Sequence, residues 1–250
     1  MLRVDNITRS FGKLVAIKDV SLSAREGAIT GLIGPNGSGK TTMFNLISGF
    51  LKPNAGQILF DGRDITGKRP SRIASMGLVR TFQLTSIYRD RSVFENVMMG
   101  HHMARLGGVR HHAHSVLGQE PILLKSAEGI IDFMGLAAVA NTPAHLLPGG
   151  TQRMVSIATA LAARPALLLL DEPLAGLHPA EKANVAQRLI ELRKRGLTML
   201  LIEHDMKSVM SVCDEVHVIN FGVKIGQGTP KEITENPAVV EAYLGAAHHA

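Results

Sequence analysis

The chain has little of what would brace or bury it outside a reducing compartment. Of its 250 residues only Cys213 is a cysteine, which excludes an internal disulfide and a disulfide-framed secreted domain. Tryptophan is absent and aromatics make up 4% of residues, so a stacking platform for single-stranded nucleic acid is not expected. No uninterrupted apolar run reaches the roughly 18 residues that a membrane-spanning helix needs. The start, Met1 to Asp5, alternates as a strand does and does not read as a leader peptide. These features predict a soluble, cytoplasmic chain that reaches a membrane only through a partner or surface charge. Repeats and low-complexity linkers are missing too, and the length suits one large α/β domain or a core with a smaller lobe.

What is present is mildly basic, with 27 Lys and Arg against 21 Asp and Glu. A net charge of +6 is compatible with nucleotide, nucleic acid or anionic headgroups and selects none of them. Arg63, Lys68, Arg69, Arg72, Arg80, Arg89 and Arg91 concentrate the charge in one stretch, read as a solvent face. His101, His102, His111, His112 and His114 form a second biased tract. With no acid or cysteine among them they are read as a solvated loop and not as a metal site.

Residue patterning divides the chain into three parts. Leu2 to Ile7, Val20 to Ala24, Ala28 to Ile33 and Gln57 to Phe60 read as strands, and Lys40 to Ser48 as a packed helix. From about Leu84 to Leu161 the spacing becomes helical, with Val93, Phe94 and Val97 on one face and Ile130, Ile131, Phe133 and Met134 on another. This is expected to be an inserted helical lobe. The apolar runs Leu167 to Leu170 and Leu197 to Ile202 suit parallel strands covered on both faces, with a helix between them at Ala180 to Arg195. Val216 to Ile219 reads as one more strand before a short turn-rich tail. Met206, Val209, Met210 and Cys213 fall on one helical stripe expected to face the core.

Gly34-Pro35-Asn36-Gly37-Ser38-Gly39-Lys40-Thr41 fits G-x-x-x-x-G-K-[ST] and lies between an expected strand and an expected helix, the setting that the pattern requires. Glycines let backbone N–H groups converge on phosphate oxygens, and the helix N-terminus adds a favourable dipole. Lys40 supplies a point charge for the β- and γ-phosphates, Thr41 a hydroxyl ligand for Mg²⁺, and Thr42 a contact to the α-phosphate. No Asn-Lys-x-Asp guanine reader accompanies the loop, which argues against GTP.

Leu167 to Leu170 deliver Asp171 and Glu172 to a strand end, where an open parallel sheet faces its ligand. Taken alone, an Asp-Glu-Pro sequence simply turns a chain. Beside the phosphate loop, Asp171 can hold Mg²⁺ through water, and Glu172 can orient or deprotonate the attacking water. Leu201-Ile202-Glu203-His204-Asp205 repeats the arrangement, and His204 can then donate to the γ-phosphate and report its presence.

With these residues in place the chain resembles, over nearly its full length, the ATP-binding subunits of ABC transporters. Phe11 looks like the aromatic that stacks on adenine. Gln83, in Arg80-Thr81-Phe82-Gln83, is similar to the glutamine that links Mg²⁺ to the helical lobe. Leu147 to Arg153 looks like the family signature. Ile202 to Met206, Ala175-Gly176-Leu177 and Ala242-Tyr243-Leu244-Gly245 look most like the ATPases of branched-chain amino-acid importers, and ATPases for urea, amides or other small solutes share much of this pattern.

The resemblance implies a RecA-like P-loop NTPase core with an antiparallel β subdomain, over 1–83 and 161–250, and a helical subdomain over 84–160. It implies MgATP hydrolysis in a head-to-tail homodimer or heterodimer, in which each ATP meets one chain's Lys40 loop and, in trans, the other's Gly149 and Gly150. It implies two transmembrane permease subunits, a periplasmic solute-binding protein acting indirectly, a place on the cytoplasmic face of the inner membrane, and no nucleic acid. The alternative within the family is a soluble ABC ATPase acting on DNA or ribosomes, which typically carries two cassettes or long coiled-coil insertions; neither is visible.

Three positions depart from the family pattern. Pro148 stands where the signature has serine, so a hydroxyl contact to the partner's γ-phosphate is lost, while the helix after it should survive. Thr151 also replaces a frequent glutamine. His178 stands where Asp or Asn is usual in the turn after the acids. Gly149 and Gly150 are expected to retain backbone donors, weakening the composite site without abolishing it.

Overall fold

The computed structural model describes residues 1–81, 87–106 and 126–247. Gln83, His111, His112 and His114 lie outside the described residues.

Alternating apolar residues build the first sheet. β1 (Leu2–Phe11) pairs antiparallel with β2 (Leu14–Ala24) and with β4 (Ala55–Phe60), and β5 (Arg63–Asp64) closes the far edge. Leu2, Val4 and Ile7 of β1 turn inward with Ile58 and Phe60 of β4. The hairpin reaches further than the pattern at Leu2 to Ile7 suggests, because it ends in partly exposed residues whose alternation is weak.

The second sheet carries the chemistry. Its order is β10 (Val223–Gly228), β9 (Glu215–Asn220), β3 (Ile29–Ile33), β8 (Thr198–Glu203), β7 (Leu167–Asp171) and β6 (Leu78–Arg80). All neighbouring pairs are parallel except β10 with β9. The apolar runs look uniform in sequence but split by parity in space. Leu168, Leu170, Met199 and Leu201 enter one core, whereas Leu167, Leu169, Leu200 and Ile202 enter the other. Each of these side chains is essentially fully buried, worth roughly 1.5–3 kcal/mol apiece.

On the first face lie α3 (Val93–Leu106), α4 (Ala127–Phe133), α5 (Gly149–Ala162) and α6 (Pro179–Lys194). The other face holds α1 (Lys40–Ile47) and the antiparallel sheet, with α2 (Pro70–Ser75) packed there through Ile73. Val93, Val97, Ile130, Ile131 and Met134 share a core with β7 and β8, so the helical segment is continuous with the sheet's interior.

Three expectations need correction. The tail is not turn-rich: β10 is succeeded by α8 (Pro230–Glu235) and α9 (Pro237–Ala247). β10 is a half-exposed edge strand ending in glycine, which weakens its strand signature. Within α7 (Met206–Val212), Val209 is buried and Met206 partly so, but Met210 is 41% exposed on the flank of this short helix. Arg80 does not belong to a solvent face; its side chain is buried against Asp171.

Candidate functional site

The C-terminal ends of β3, β7 and β8 lie side by side, Ile33 level with Glu203 and Asp171 with Ile202. The segments that leave these three strands therefore meet at one edge of the sheet. After β3 the chain turns through Gly34, Gly37 and Gly39, all at positive φ, and enters α1 at Lys40. A Cβ at Gly34 would sit 2.0 Å from the Ile219 carbonyl oxygen, and one at Gly39 2.6 Å from Ile17 Cδ1. Only glycine fits this path. The turn is braced from outside: the Gly222 amide donates to the Ser38 carbonyl at 2.9 Å.

α1 begins with no acid in its first turn and no side-chain cap. Its leading N–H groups and positive dipole end therefore suit a phosphate. Lys40 is 6% exposed, and its Nζ donates to the carbonyls of Gly34 at 2.7 Å and Pro35 at 2.8 Å, arching back over the loop. Burial holds its amine below the ordinary lysine value, and the Glu172 charge works against that shift. Asn36, Gly37 and Thr41 are exposed at the rim, Thr42 and Gly39 half-buried, and Ser38 buried.

β7 ends at Asp171, whose Oδ2 accepts from Arg80 Nη2 at 2.7 Å; the side chains are 10% and 7% exposed. Arg80 also donates to Asn45 Oδ1 at 2.7 Å and Ser48 Oγ at 3.1 Å, and lies over the Phe44 ring. One guanidinium thus joins the β7 acid to α1 behind the phosphate loop. Its place in a basic stretch hid this; the available signal is that it directly succeeds the apolar pair Leu78-Val79 of a strand.

Glu172 adopts φ 47, an uncommon conformation for a residue with a side chain. Its Oε1 stands 3.6 Å from His204 Nδ1, and both side chains reach solvent. Asp205 caps α7 through the Lys207 amide and accepts from Ser208 Oγ at 2.6 Å and Lys182 Nζ at 3.0 Å. Burial alone would raise its carboxyl, but these bonds outweigh that and hold it at about 2. Asp205 is thereby committed to holding the turn.

Phe11 closes the β1–β2 hairpin opposite Leu14, is 43% exposed, and has the Arg9 guanidinium 4.7 Å from its ring centre. The same hairpin runs on through Ala16 and Ile17 against Gly39, so it flanks the phosphate loop. Gly149 and Gly150 stand elsewhere, at the N-terminus of α5, with Pro148 as its N-cap. Pro148 and Gly149 are exposed. Gly150 is buried, and its amide is not spare: it donates to Glu181 Oε1 at 3.1 Å, so one of the two donors expected there is engaged within the chain. His178 is the exposed N-cap of α6, and its amide donates to the other oxygen of Glu181.

The loop, its lysine and its helix end fit a triphosphate, and the Thr41 hydroxyl with the Asp171 carboxylate is an oxygen donor set of the kind Mg²⁺ takes. Among the described residues no cluster of three or more His, Cys, Asp or Glu could hold a metal ion by itself.

Comparison with known proteins agrees with this geometry. Residues 17–175 match the family model described as ABC transporter, and residues 223–249 match one described as branched-chain amino acid ATP-binding cassette transporter. The chain is 41% identical to the high-affinity branched-chain amino acid transport ATP-binding protein LivG of Salmonella typhimurium, covering 99% of this chain and 98% of that protein. It is 38% identical to the corresponding protein BraF of Pseudomonas aeruginosa over the same shares. The ADP conformation of MJ1267, an ATP-binding cassette of an ABC transporter, superposes with a TM-score of 0.84 at 33% identity and covers 98% of both chains. A phosphate loop, paired acids and a histidine on one sheet edge, in a chain matched nearly end to end, have one common explanation: the protein belongs to the ABC transporter family, as an ATP-binding cassette.

Proposed function

We propose that this chain hydrolyses MgATP to ADP and phosphate to energise an ABC membrane transporter that imports branched-chain amino acids or a related small solute. The observation that carries the hydrolytic part is the meeting of the Lys40 loop, Asp171, Glu172 and His204 at the ends of adjacent strands. Asn36 to Thr42 bind the phosphates, with Lys40 on the β- and γ-groups, and Phe11 stacks on the base. Thr41, Asp171 and Gln83 would hold Mg²⁺, which neutralises charge on the transferring phosphoryl group. Glu172 takes a proton from the attacking water, and His204 beside it donates to the γ-phosphate.

The exposed Pro148 and Gly149 support a head-to-tail dimer in which the start of α5 faces the partner's nucleotide. Within 84–160, the described helices α3, α4 and α5 then stand between nucleotide and permease. The solute assignment is supported by the relatives matched over nearly their whole length and by the match at 223–249. No helix among the described residues is long and apolar enough to cross a membrane. In this reading the chain sits on the cytoplasmic face, held by two permease subunits, with a solute-binding protein on the far side.

The test is reconstitution of the cassettes with their permease subunits in vesicles. MgATP turnover should rise with leucine-loaded binding protein, Lys40→Ala should lose nucleotide binding, and Glu172→Gln should bind ATP but stall. Wild-type turnover by Glu172→Gln would overturn the assignment of the base. Uptake indifferent to every branched-chain amino acid would overturn the solute class.

A further inference from the structure

Glu203 is the last residue of β8 and is fully buried. The strand before it, Met199 to Ile202, is entirely apolar, and a carboxylate at the end of such a run carries a desolvation cost that an apolar residue would avoid. Burial pushes its carboxyl up, while the Leu174 amide and the neighbouring His204 work the other way. Its Oε1 accepts from the Leu174 amide at 2.8 Å.

That amide belongs to the turn that presents Glu172. A non-glycine residue in the left-handed region costs of order 1 kcal/mol and persists only where its surroundings fix it. Glu172 is held upstream by its own amide, which donates to the Ile202 carbonyl at 3.1 Å, and downstream by the Ala175 amide, which donates to the Glu172 carbonyl at 3.3 Å. Pro173 has no N–H to offer. The Leu174 amide is therefore the first donor past Glu172 through which the turn can be tied to the sheet, and Glu203 takes it. His204, the next residue, stands at the Glu172 carboxylate. Two consecutive residues, Glu203 and His204, thus hold the backbone and face the side chain of the same acid.

We propose that Glu203 is a positioning residue for hydrolysis: its buried carboxylate locks the Glu172–Leu174 turn and so fixes the direction in which Glu172 faces the phosphate loop. The proposal rests on Glu172 being the base.

The assembled transporter separates the two ideas. Glu203→Met removes the acceptor and also the desolvation cost of a buried carboxyl, and the two effects on folding oppose each other. The complex should therefore melt within a few degrees of wild type. Its kcat should fall about 10- to 100-fold, a share of the 10²–10⁴ a positioned base contributes, with the KM for ATP within about twofold. Glu203→Gln keeps an acceptor oxygen for Leu174 and should retain kcat within about threefold. Wild-type turnover by Glu203→Met, or a Glu203→Gln variant as impaired as Glu203→Met, overturns the proposal. So does a loss of turnover that tracks a lost ATP affinity or a collapsed melting temperature. If Glu203→Met does not assemble, the same readings on Glu203→Ala decide. Glu172→Gln run in parallel marks the other failure: normal turnover there removes the base itself, whatever Glu203 does.

Discussion

One carboxylate, Glu181, accepts from the Gly150 amide at 3.1 Å and from the His178 amide at 3.1 Å. It ties the start of α5 to the start of α6, and a Cβ at Gly150 would lie 2.4 Å from its Oε1, so this approach admits only glycine. Both segments are ones that the family resemblance turns toward the partner cassette. Glu181 is thus the side chain that both helix starts share.

Glu181→Ala should therefore loosen both helix starts. Loss of a capping acceptor costs about 1 kcal/mol, which for a chain of this size lowers the melting temperature by roughly 2–4 °C. Thermal unfolding of the isolated subunit measures it. Glu181→Gln, which keeps an acceptor, should recover most of the loss.

Arg80→Met should be far more damaging than an exposed arginine would suggest. It leaves Asp171 buried without its cation, a change worth about 3–5 kcal/mol. Urea unfolding of Arg80→Met, Asp171→Asn and the double variant gives the coupling. The double variant should be more stable than the sum of the single losses; strict additivity would show that the ion pair contributes little.

Pro148→Ser supplies α5 with the side-chain cap it lacks. The gain in stability should be about 0.5–2 kcal/mol. In the assembled complex the added hydroxyl should also raise the ATPase rate, and an unchanged rate would mean that the missing hydroxyl is irrelevant to turnover.

Stability should fall on mild acidification, through His217. It is fully buried on β9, with Nε2 at 3.0 Å from the Ser23 carbonyl, and burial holds it below the ordinary value of 6.5. The folded state then binds fewer protons than the unfolded one below that value. Its stabilising effect is complete above about pH 6.5 and declines as pH drops toward the folded value. Urea midpoints between pH 7.5 and 5 should show the slope, and His217→Gln should flatten it. Asp64 and Asp205, both held at about 2, act in a separate window below their ordinary 3.8.

Some of this was legible along the chain because its causes are local. Gly34 to Thr41 specify their own backbone path, and the apolar strands carry Asp171-Glu172 and Glu203-His204 to their ends whatever surrounds them. The edge strand β10 and the closing helices were less legible, since half-exposed residues leave only a weak period in the sequence. Arg80 was misplaced for a different reason: a charge is buried or solvated according to its partner, and that partner is 91 residues away.

The sequence by itself determined that a phosphate loop, paired acids and a histidine come after apolar strands, because glycine placement and strand periodicity act over a few residues. Only the tertiary structure decided which long-range groups hold them: Arg80 on Asp171, Glu203 under the Glu172 turn, and Glu181 across the Gly150 amide. Those contacts depend on strand order and helix packing, which bring together residues that no local pattern connects.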